Sequence, residues 1–162
     1  RYAGKTPATQ SYTGDGGQAT AAALNVPSGL FLSTLGVLYF TDSSNEAIRT
    51  IDTATGIITT IAGMGPGARG YNGDGMPATS TSLYDPAGLW CNTVGEVFFA
   101  DMWSQRIRKM SLDGIITTLV GTGDYGENGV NQPGTSVQMR LPKDVRGDTT
   151  GNLYISDTDN NR

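Results

Sequence analysis

The side chains that could perform chemistry in this sequence are almost all carboxylates. The 162 residues contain no histidine and a single cysteine, Cys91, beside 15 acidic and 11 basic residues. Without histidine the chain offers no Ser-His-Asp or Cys-His nucleophile, and it lacks the usual ligand of a catalytic zinc ion. One cysteine forms no internal disulfide. We therefore expect no catalytic residue, no cofactor and no transition metal in this segment.

Two aspartates each lie between glycines, in Gly14-Asp15-Gly16 and Gly73-Asp74-Gly75. Glycine tolerates positive φ, and an Asp side chain can accept hydrogen bonds from nearby backbone N–H groups, so this pattern favours a tight Asx-type turn. The alternative is a hard cation such as Ca²⁺. That ion takes about six to eight oxygen ligands, whereas each loop supplies one carboxylate.

A second set of aspartates follows apolar runs, at Asp42, Asp101 and Asp157, and arginines come shortly after the first two, at Arg49 and Arg108. Three aspartates could form a ring of ligands around an axis. The alternative is a repeated structural cap, in which each Asp binds turn amides and pairs with an Arg of the next strand. We favour the cap, because catalytic sites are built from singular residues and these recur.

The aspartates recur because the sequence repeats itself three times. An offset of 59 residues relates 12–20 to 71–79 and 38–42 to 97–101, and an offset of 56 residues relates 97–101 to 153–157. Several blocks keep one order and nearly one spacing, which indicates a repeat architecture. We place the repeats at about 12–70, 71–127 and 128–162, the third of them truncated.

The second repeat predicts the fold class. β-Branched and aromatic residues fill its short runs, while Gly, Pro, Asp and Asn separate them, as is typical of strands and turns. The predicted strands are 88–92, 96–101, 106–110 and 115–121. The second strand is apolar without alternation, which indicates burial on both faces. We predict an all-β propeller with four-stranded antiparallel blades, of which about three are present. A β-sandwich is the alternative, but four strands in about 57 residues fit a blade better.

The loop after the second strand is polar in the first and third repeats, but it contains Met102 and Trp103 in the second. Four antiparallel strands place this loop on the same face as the Gly-Asp-Gly loops. Met and aromatic residues are enriched in binding patches, although Trp103 could instead fold onto its own blade. The candidate partner contacts are Trp103, Met102, Asp15, Asp74 and Tyr71.

With its repeats aligned, the sequence resembles the NHL-repeat family of β-propellers, in the long-repeat variety. The motifs that carry the resemblance are 60–63 (TIAG), 70–75 (GYNGDG), 77–79 (PAT), 99–101 (FAD) and 151–157 (GNLYISD). The sequence departs from the pattern where Ser104 replaces Asn45, where Gly129-Val130-Asn131 replaces Gly-Asp-Gly, and in having no histidine. Family propellers have more blades than three, so we expect this chain to be a segment of a longer propeller.

The resemblance implies a non-catalytic scaffold in a large extracellular or surface protein, with loops that contact another protein or further copies of itself, and carbohydrate as a further candidate. The alternative is a segment of a lyase-like or lactonase-like propeller enzyme whose catalytic residues lie elsewhere. A net charge of −4 argues against nucleic acid, because phosphate binding needs a clustered basic surface. No apolar run reaches the roughly 20 residues that a membrane helix needs, so we expect no membrane insertion.

Overall fold

Three antiparallel sheets make up the part of the chain that the computed structural model describes, which is residues 2–5, 10–128 and 131–162. Residues 129–130, which are part of the Gly129-Val130-Asn131 departure near the start of the third repeat, lie outside the described residues. The strands are β1 (Pro27–Leu32), β2 (Val37–Asp42), β3 (Ala47–Asp52), β4 (Ile58–Ala62), β5 (Met76–Pro77), β6 (Pro86–Cys91), β7 (Val97–Asp101), β8 (Arg106–Met110), β9 (Ile115–Val120), β10 (Pro142–Gly147) and β11 (Leu153–Asp157).

Each sheet is one blade, and its strands follow one another in chain order. Blade 1 is β1–β2–β3–β4, blade 2 contains β6–β7–β8–β9, and blade 3 contains β10–β11. The first strand of blade 2, β6, contacts both β1 and β10, so these three first strands lie side by side as the inner strands. The expected all-β propeller blades are therefore confirmed, and the predicted strands of the second repeat differ from the observed ones by two residues or fewer at each end.

The short strand β5 is a feature that the sequence does not predict. Met76 and Pro77 pair with Ile116 and Ile115 on β9, so the segment that leads into blade 2 first runs along the outer edge of that blade. An isolated bridge between Gln18 and Ile57 does the same on blade 1. These contacts pair part of the edge that an outer strand would otherwise leave open.

Within the described residues, six single-turn 3-10 helices connect the strands. Three of them precede inner strands, and three follow the second strand of each blade. They are Ala19–Ala21, Ala78–Ser80 and Gly134–Ser136 in the first group, and Ser43–Asn45, Met102–Ser104 and Thr158–Asn160 in the second.

Much of the hydrophobic core lies between the blades, and a further buried cluster around Phe40 and Ile51 is formed by blade 1 and the segment before it. Ile48 of blade 1 packs in one buried cluster with Leu89 and Phe99 of blade 2, and Phe98 of blade 2 packs in another with Val145 of blade 3. Neighbouring side chains on a strand therefore belong to different clusters, as blades stacked face to face require.

We predicted that the second strand of each blade is buried on both faces. Among these three strands, every residue is buried in β7 alone. Blade 2 lies between two other blades, whereas β11 alternates between buried or half-buried and exposed positions. Tyr154, for example, is 62% exposed, although its equivalent Phe98 is 8% exposed. The apolar run of the second strand thus reflects burial that is complete only where a blade has neighbours on both sides.

Candidate functional site

A buried arginine joins two of the predicted aspartates in blade 1. The guanidinium of Arg49 is fully buried on β3, and its Nη2 lies 2.7 Å from Oδ1 of Asp15. Its Nη1 lies 3.3 Å from Oδ2 of Asp42, which is also fully buried. Nη2 also donates to the backbone carbonyl of Thr13. One cation therefore ties the end of β2 to the Gly-Asp-Gly loop, with charge-assisted hydrogen bonds on both sides.

Blade 2 repeats the arrangement with Arg108, whose Nη groups lie 3.0 Å from Asp74 and 3.5 Å from Asp101. We expected the Asp of the Gly-Asp-Gly loop to accept hydrogen bonds from nearby backbone N–H groups, and for Asp74 this expectation is wrong. Among the described residues, Oδ1 of Asp74 accepts hydrogen bonds from Arg108 and from the hydroxyl of Thr118 rather than from backbone N–H groups. The carboxylate anchors the loop to strands β8 and β9, because a buried guanidinium needs an acceptor there.

The aspartates that end the second strands occupy equivalent positions. Each accepts a 2.7 Å hydrogen bond from the backbone N–H of a residue shortly before the inner strand of its own blade. The pairs are Asp42 with Asn25, Asp101 with Tyr84, and Asp157 with Arg140. No group of three or more Asp, Glu, His or Cys residues is placed to hold a metal ion within the described part of the chain.

Burial changes the acid strength of two of these groups. Desolvation raises the pKa of Asp101 to about 6, against the opposing effects of Tyr84 N–H and Arg108. Desolvation also raises the pKa of Asp42, although Asn25, Asn45 and Arg49 oppose it. Both side chains are buried and hydrogen-bonded to the backbone of their own blade.

Loops from neighbouring segments meet at one end of each blade, as the sequence predicted. The amide of Asn45 donates to the carbonyl of Ser11, and the amide of Asn160 donates to the carbonyl of Gly126. The hydroxyl of Ser104 makes the same kind of contact, at 3.4 Å, with the carbonyl of Gly70. We call this end the loop face; it consists of residues 10–17, 43–46, 70–75, 102–105, 124–128 and 158–161.

The structure separates Met102 from Trp103. Trp103 is 47% exposed and stacks on Tyr84, with ring centroids 5.9 Å apart. Met102 instead lines a cleft beside the inner strands. Trp103 thus packs against Tyr84 of its own blade while about half of its surface stays exposed.

Tyr71 lies on the loop face with its ring against two arginines. The guanidinium carbon of Arg106 is 3.7 Å from the ring centroid, and that of Arg108 is 4.8 Å from it. Tyr71 remains 41% exposed. Both distances are within the range of cation–π attraction, so the ring holds the two strand-β8 arginines in place.

Cys91 has a packing role. It is 5% exposed at the end of β6, and burial raises the pKa of its thiol to about 12. The thiol therefore stays protonated at neutral pH and is a poor nucleophile.

None of the helices in the described residues is long and apolar enough to cross a membrane.

Sequence reasoning missed a pair of contacts between blades. Oε2 of Glu46 accepts a 2.6 Å hydrogen bond from the backbone N–H of Asp85, and Oε1 of Gln105 accepts one of 2.7 Å from the N–H of Leu141. Glu46 and Gln105 are equivalent by the offset of 59, and both carry a side-chain oxygen. That shared feature was the only available signal, because Asp85 and Leu141 have nothing in common as residue types.

Four-stranded blades packed around inner strands, with a repeated Asp–Arg pairing at one end, define a propeller of repeated structural units. The sequence profile of the teneurin NHL domain matches residues 3–68 and 64–162. The chain belongs to the teneurin NHL domain family.

Two curated proteins show related sequence. Teneurin-1 of Gallus gallus is 47% identical over 57 residues, which are 35% of this chain and 2% of that protein. Protein SUPPRESSOR OF QUENCHING 1, chloroplastic, of Arabidopsis thaliana is 34% identical over 90 residues, or 56% of this chain and 8% of that protein. The chain thus spans a small fraction of the length of either relative.

Solved structures share the fold at lower identity. An auxiliary nutrient binding protein from Bacteroides ovatus superposes with a TM-score of 0.64 at 22% identity, over 81% of this chain and 35% of that one. Virginiamycin B lyase from Staphylococcus aureus gives a TM-score of 0.51 at 20% identity, over 84% and 36%. At these identities the likeness concerns the propeller fold alone.

Proposed function

We propose that this chain is a non-catalytic scaffold whose loop face contacts a protein partner, either another protein or a further copy of the chain. One observation carries the proposal. Trp103 is half-exposed at a position where the other two repeats have Ser44 and Asp159. An exposed tryptophan that breaks a polar repeat, on a loop fixed by a rigid blade, is the kind of residue that anchors interfaces.

The surroundings of Trp103 support this role. Its ring stacks on the ring of Tyr84. The ring centroid of Tyr84 lies 5.7 Å from the guanidinium carbon of Arg69. The main chain is fixed as well, because Trp103 N–H donates to the carbonyl of Tyr84. A preorganised aromatic side chain loses little conformational entropy when it binds, so more of its contact energy appears as affinity.

Family membership supports an extracellular or surface setting and a non-enzymatic role, since the matched family is that of the teneurin NHL domain. The buried aspartates support the same reading, because their hydrogen bonds are made within the blades. Tyr71, Asp15 and Asp74 then belong to the periphery of the contact surface. They hold loops of the loop face in position and are themselves partly exposed.

Sedimentation velocity over a concentration series tests self-association, with Trp103→Ser as the variant. The matched control is Leu112→Ser, which removes a residue that is 72% exposed in the turn between β8 and β9, at the opposite end of the blade. We expect Trp103→Ser to weaken association about tenfold or more and Leu112→Ser to leave it unchanged. Association that depends on Leu112 instead would overturn the proposal.

A different protein partner is tested with a photo-cross-linking amino acid placed at position 103 or at position 112 in the producing cells. Cross-links specific to position 103 support the loop face as the contact surface. If neither variant forms specific cross-links and the purified chain stays monomeric, the scaffold proposal fails.

A further inference from the structure

Blade 1 leaves uncovered an apolar face that the other two blades bury. Leu30 on β1 is 59% exposed, whereas the equivalent residues Leu89 and Val145 are 0% exposed and pack against the preceding blade. Beside Leu30, the side chains of Leu38 and Phe40 line an open hollow of about 290 Å³. This face is therefore one half of an interface that the chain completes twice elsewhere.

The uncovered part of the face is confined to the inner strands. Farther out, Ile51 and Ile58 are buried already, because Ala19 and Ala22 of the preceding segment pack against them together with Ala3. A partner blade thus needs to supply inner strands alone. Blade 3 consists of such strands in the described part of the chain, since it contains β10 and β11.

An aromatic residue on the second strand of the preceding blade covers this position inside the chain. Tyr39 packs against the cluster that contains Leu89, and Phe98 belongs to the cluster that contains Val145. The same offsets lead to Tyr154 on blade 3, which is 62% exposed. The chain therefore exposes both halves of the contact, the aromatic ring on blade 3 and the apolar hollow on blade 1.

The hydrogen bond between blades is also half present at each end of the chain. Glu46 and Gln105 each accept a backbone N–H of the next blade. The equivalent donor on blade 1 is the N–H of Val26, which has the same positive φ, 51°, and no acceptor among the described residues. The equivalent acceptor on blade 3 is Asn161, an exposed residue with a φ of 54° and a side-chain amide oxygen.

We propose that a second copy of the chain docks on blade 1 through its own blade 3 and places Tyr154 in the hollow beside Leu30. Asn161 of that copy then accepts the N–H of Val26. Burial of exposed aromatic and aliphatic surface provides the driving force. Each copy uses two different surfaces, so the contact is heterologous and the copies associate head to tail. These surfaces are separate from the loop face.

The contact between copies is looser than those within the chain. Gly29 and Gly88 let neighbouring inner strands approach closely, since the space of a Cβ is taken by the backbone of Ala87 in one case and by Asp144 in the other. Blade 3 has Asp144 where the first two blades have these glycines. We therefore expect a reversible association.

The test mixes two variants that each remove one half of the contact, both in the Trp103→Ser background so that the loop-face contact does not contribute. Leu30→Asp disrupts the hollow on blade 1 and keeps blade 3 intact, whereas Tyr154→Ser does the reverse. Both residues are largely exposed in a single copy, so the core is undisturbed. In sedimentation velocity we expect each variant alone to associate at least tenfold more weakly than the background protein. Their equimolar mixture should form dimers and no larger species, because it retains one intact contact.

Leu35→Asp in the same background is the matched control, since Leu35 is 89% exposed in the turn between β1 and β2, at the opposite end of the blade from the loop face. It should leave association unchanged. A background protein that stays monomeric up to its solubility limit, variants that associate as the background does, or a mixture that stays monomeric would each overturn the proposal. Because Trp103 is absent throughout, these results leave the loop-face proposal untouched.

A disulfide between copies tests the same contact at the level of single residues. Leu30→Cys mixed with Tyr154→Cys should give a cross-linked heterodimer under mild oxidation, and Leu35→Cys mixed with Tyr154→Cys should not. Cys91 does not compete, because it is buried. Equal yields of cross-linked heterodimer in the two mixtures would show that blade 3 does not dock beside Leu30.

Discussion

The side chain of Glu46 bonds blade 1 to blade 2 through the backbone N–H of Asp85, at 2.6 Å. Both residues adopt positive φ, 53° and 46°, although neither is glycine. Glu46 is 1% exposed, and its second oxygen accepts from Nε of Arg69. The strained backbone at both ends indicates that tertiary contacts impose this conformation, since such residues persist only where the surroundings determine them.

Replacing Glu46 by Ala should lower the free energy of unfolding by about 2 kcal/mol, because the part-buried Asp85 N–H and Arg69 both lose their acceptor. Glu46→Gln should cost less than half of that, since an amide oxygen fills the same role at Gln105. Urea denaturation measures both. Glu96→Ala is the control, because the partly exposed Glu96–Lys109 pair contributes no more than about 1 kcal/mol. Equal losses for the two alanine variants would contradict the prediction.

Asp101 should make the protein less stable as pH rises from about 4 to above 6. Burial raises its pKa from 3.8 to about 6, so in this interval the folded state binds more protons than the unfolded state. Stability is then highest at the low end and falls as the buried carboxyl ionises. Asp101→Asn removes the titration, and the change in stability across this interval should become smaller by up to about 3 kcal/mol.

Chemical denaturation at several pH values, with wild type and Asp101→Asn in parallel, measures that difference. Asp52→Asn is the control, because hydrogen bonding to the backbone N–H of Ala54 lowers the pKa of the exposed Asp52. Its contribution is present above about pH 4 and disappears below it. Identical pH profiles for wild type and Asp101→Asn between pH 4 and 6 would show that Asp101 titrates normally.

Gly88→Ala should destabilise the protein by about 1–3 kcal/mol, because a Cβ at this position would overlap the carboxylate and the Cα of Asp144. Combining it with Asp144→Gly, the residue type at the equivalent positions 29 and 88, should recover part of the loss. A double-mutant cycle in urea measures the coupling. Gly17→Ala is the control, since its nearest neighbour is 3.3 Å away. Strictly additive costs would mean that the two inner strands do not meet as described.

Tyr71→Leu should cost about 1 kcal/mol, because the ring faces the guanidinium groups of Arg106 and Arg108. Tyr71→Phe keeps the aromatic face and should stay within about 0.5 kcal/mol of wild type. Thermal and urea unfolding measure both changes, and the phenylalanine variant serves as the matched control. If the two variants lose the same stability, the ring contributes through packing or its hydroxyl, and the cation–π interpretation is wrong.

Much of the fold was predictable because its determinants are local and repeated. β-Branched and aromatic runs at a constant offset defined the strands, and the recurrence of Asp42, Asp101 and Asp157 after the second strand placed them in equivalent structural positions. The same spacing placed the loops of the loop face together. Each of these inferences needs only neighbours in sequence and one period, and both are present in the printed residues.

The tertiary structure decided which distant groups meet. The residues before the inner-strand prolines, Val26, Asp85 and Leu141, share positive φ without sharing any chemistry, so nothing in their types could reveal the contacts with Glu46 and Gln105. The separation of Met102 from Trp103 and the partners of Asp15 and Asp74 also depend on how the blades pack. Such contacts follow from the angle and distance between whole sheets, which one repeat does not encode by itself.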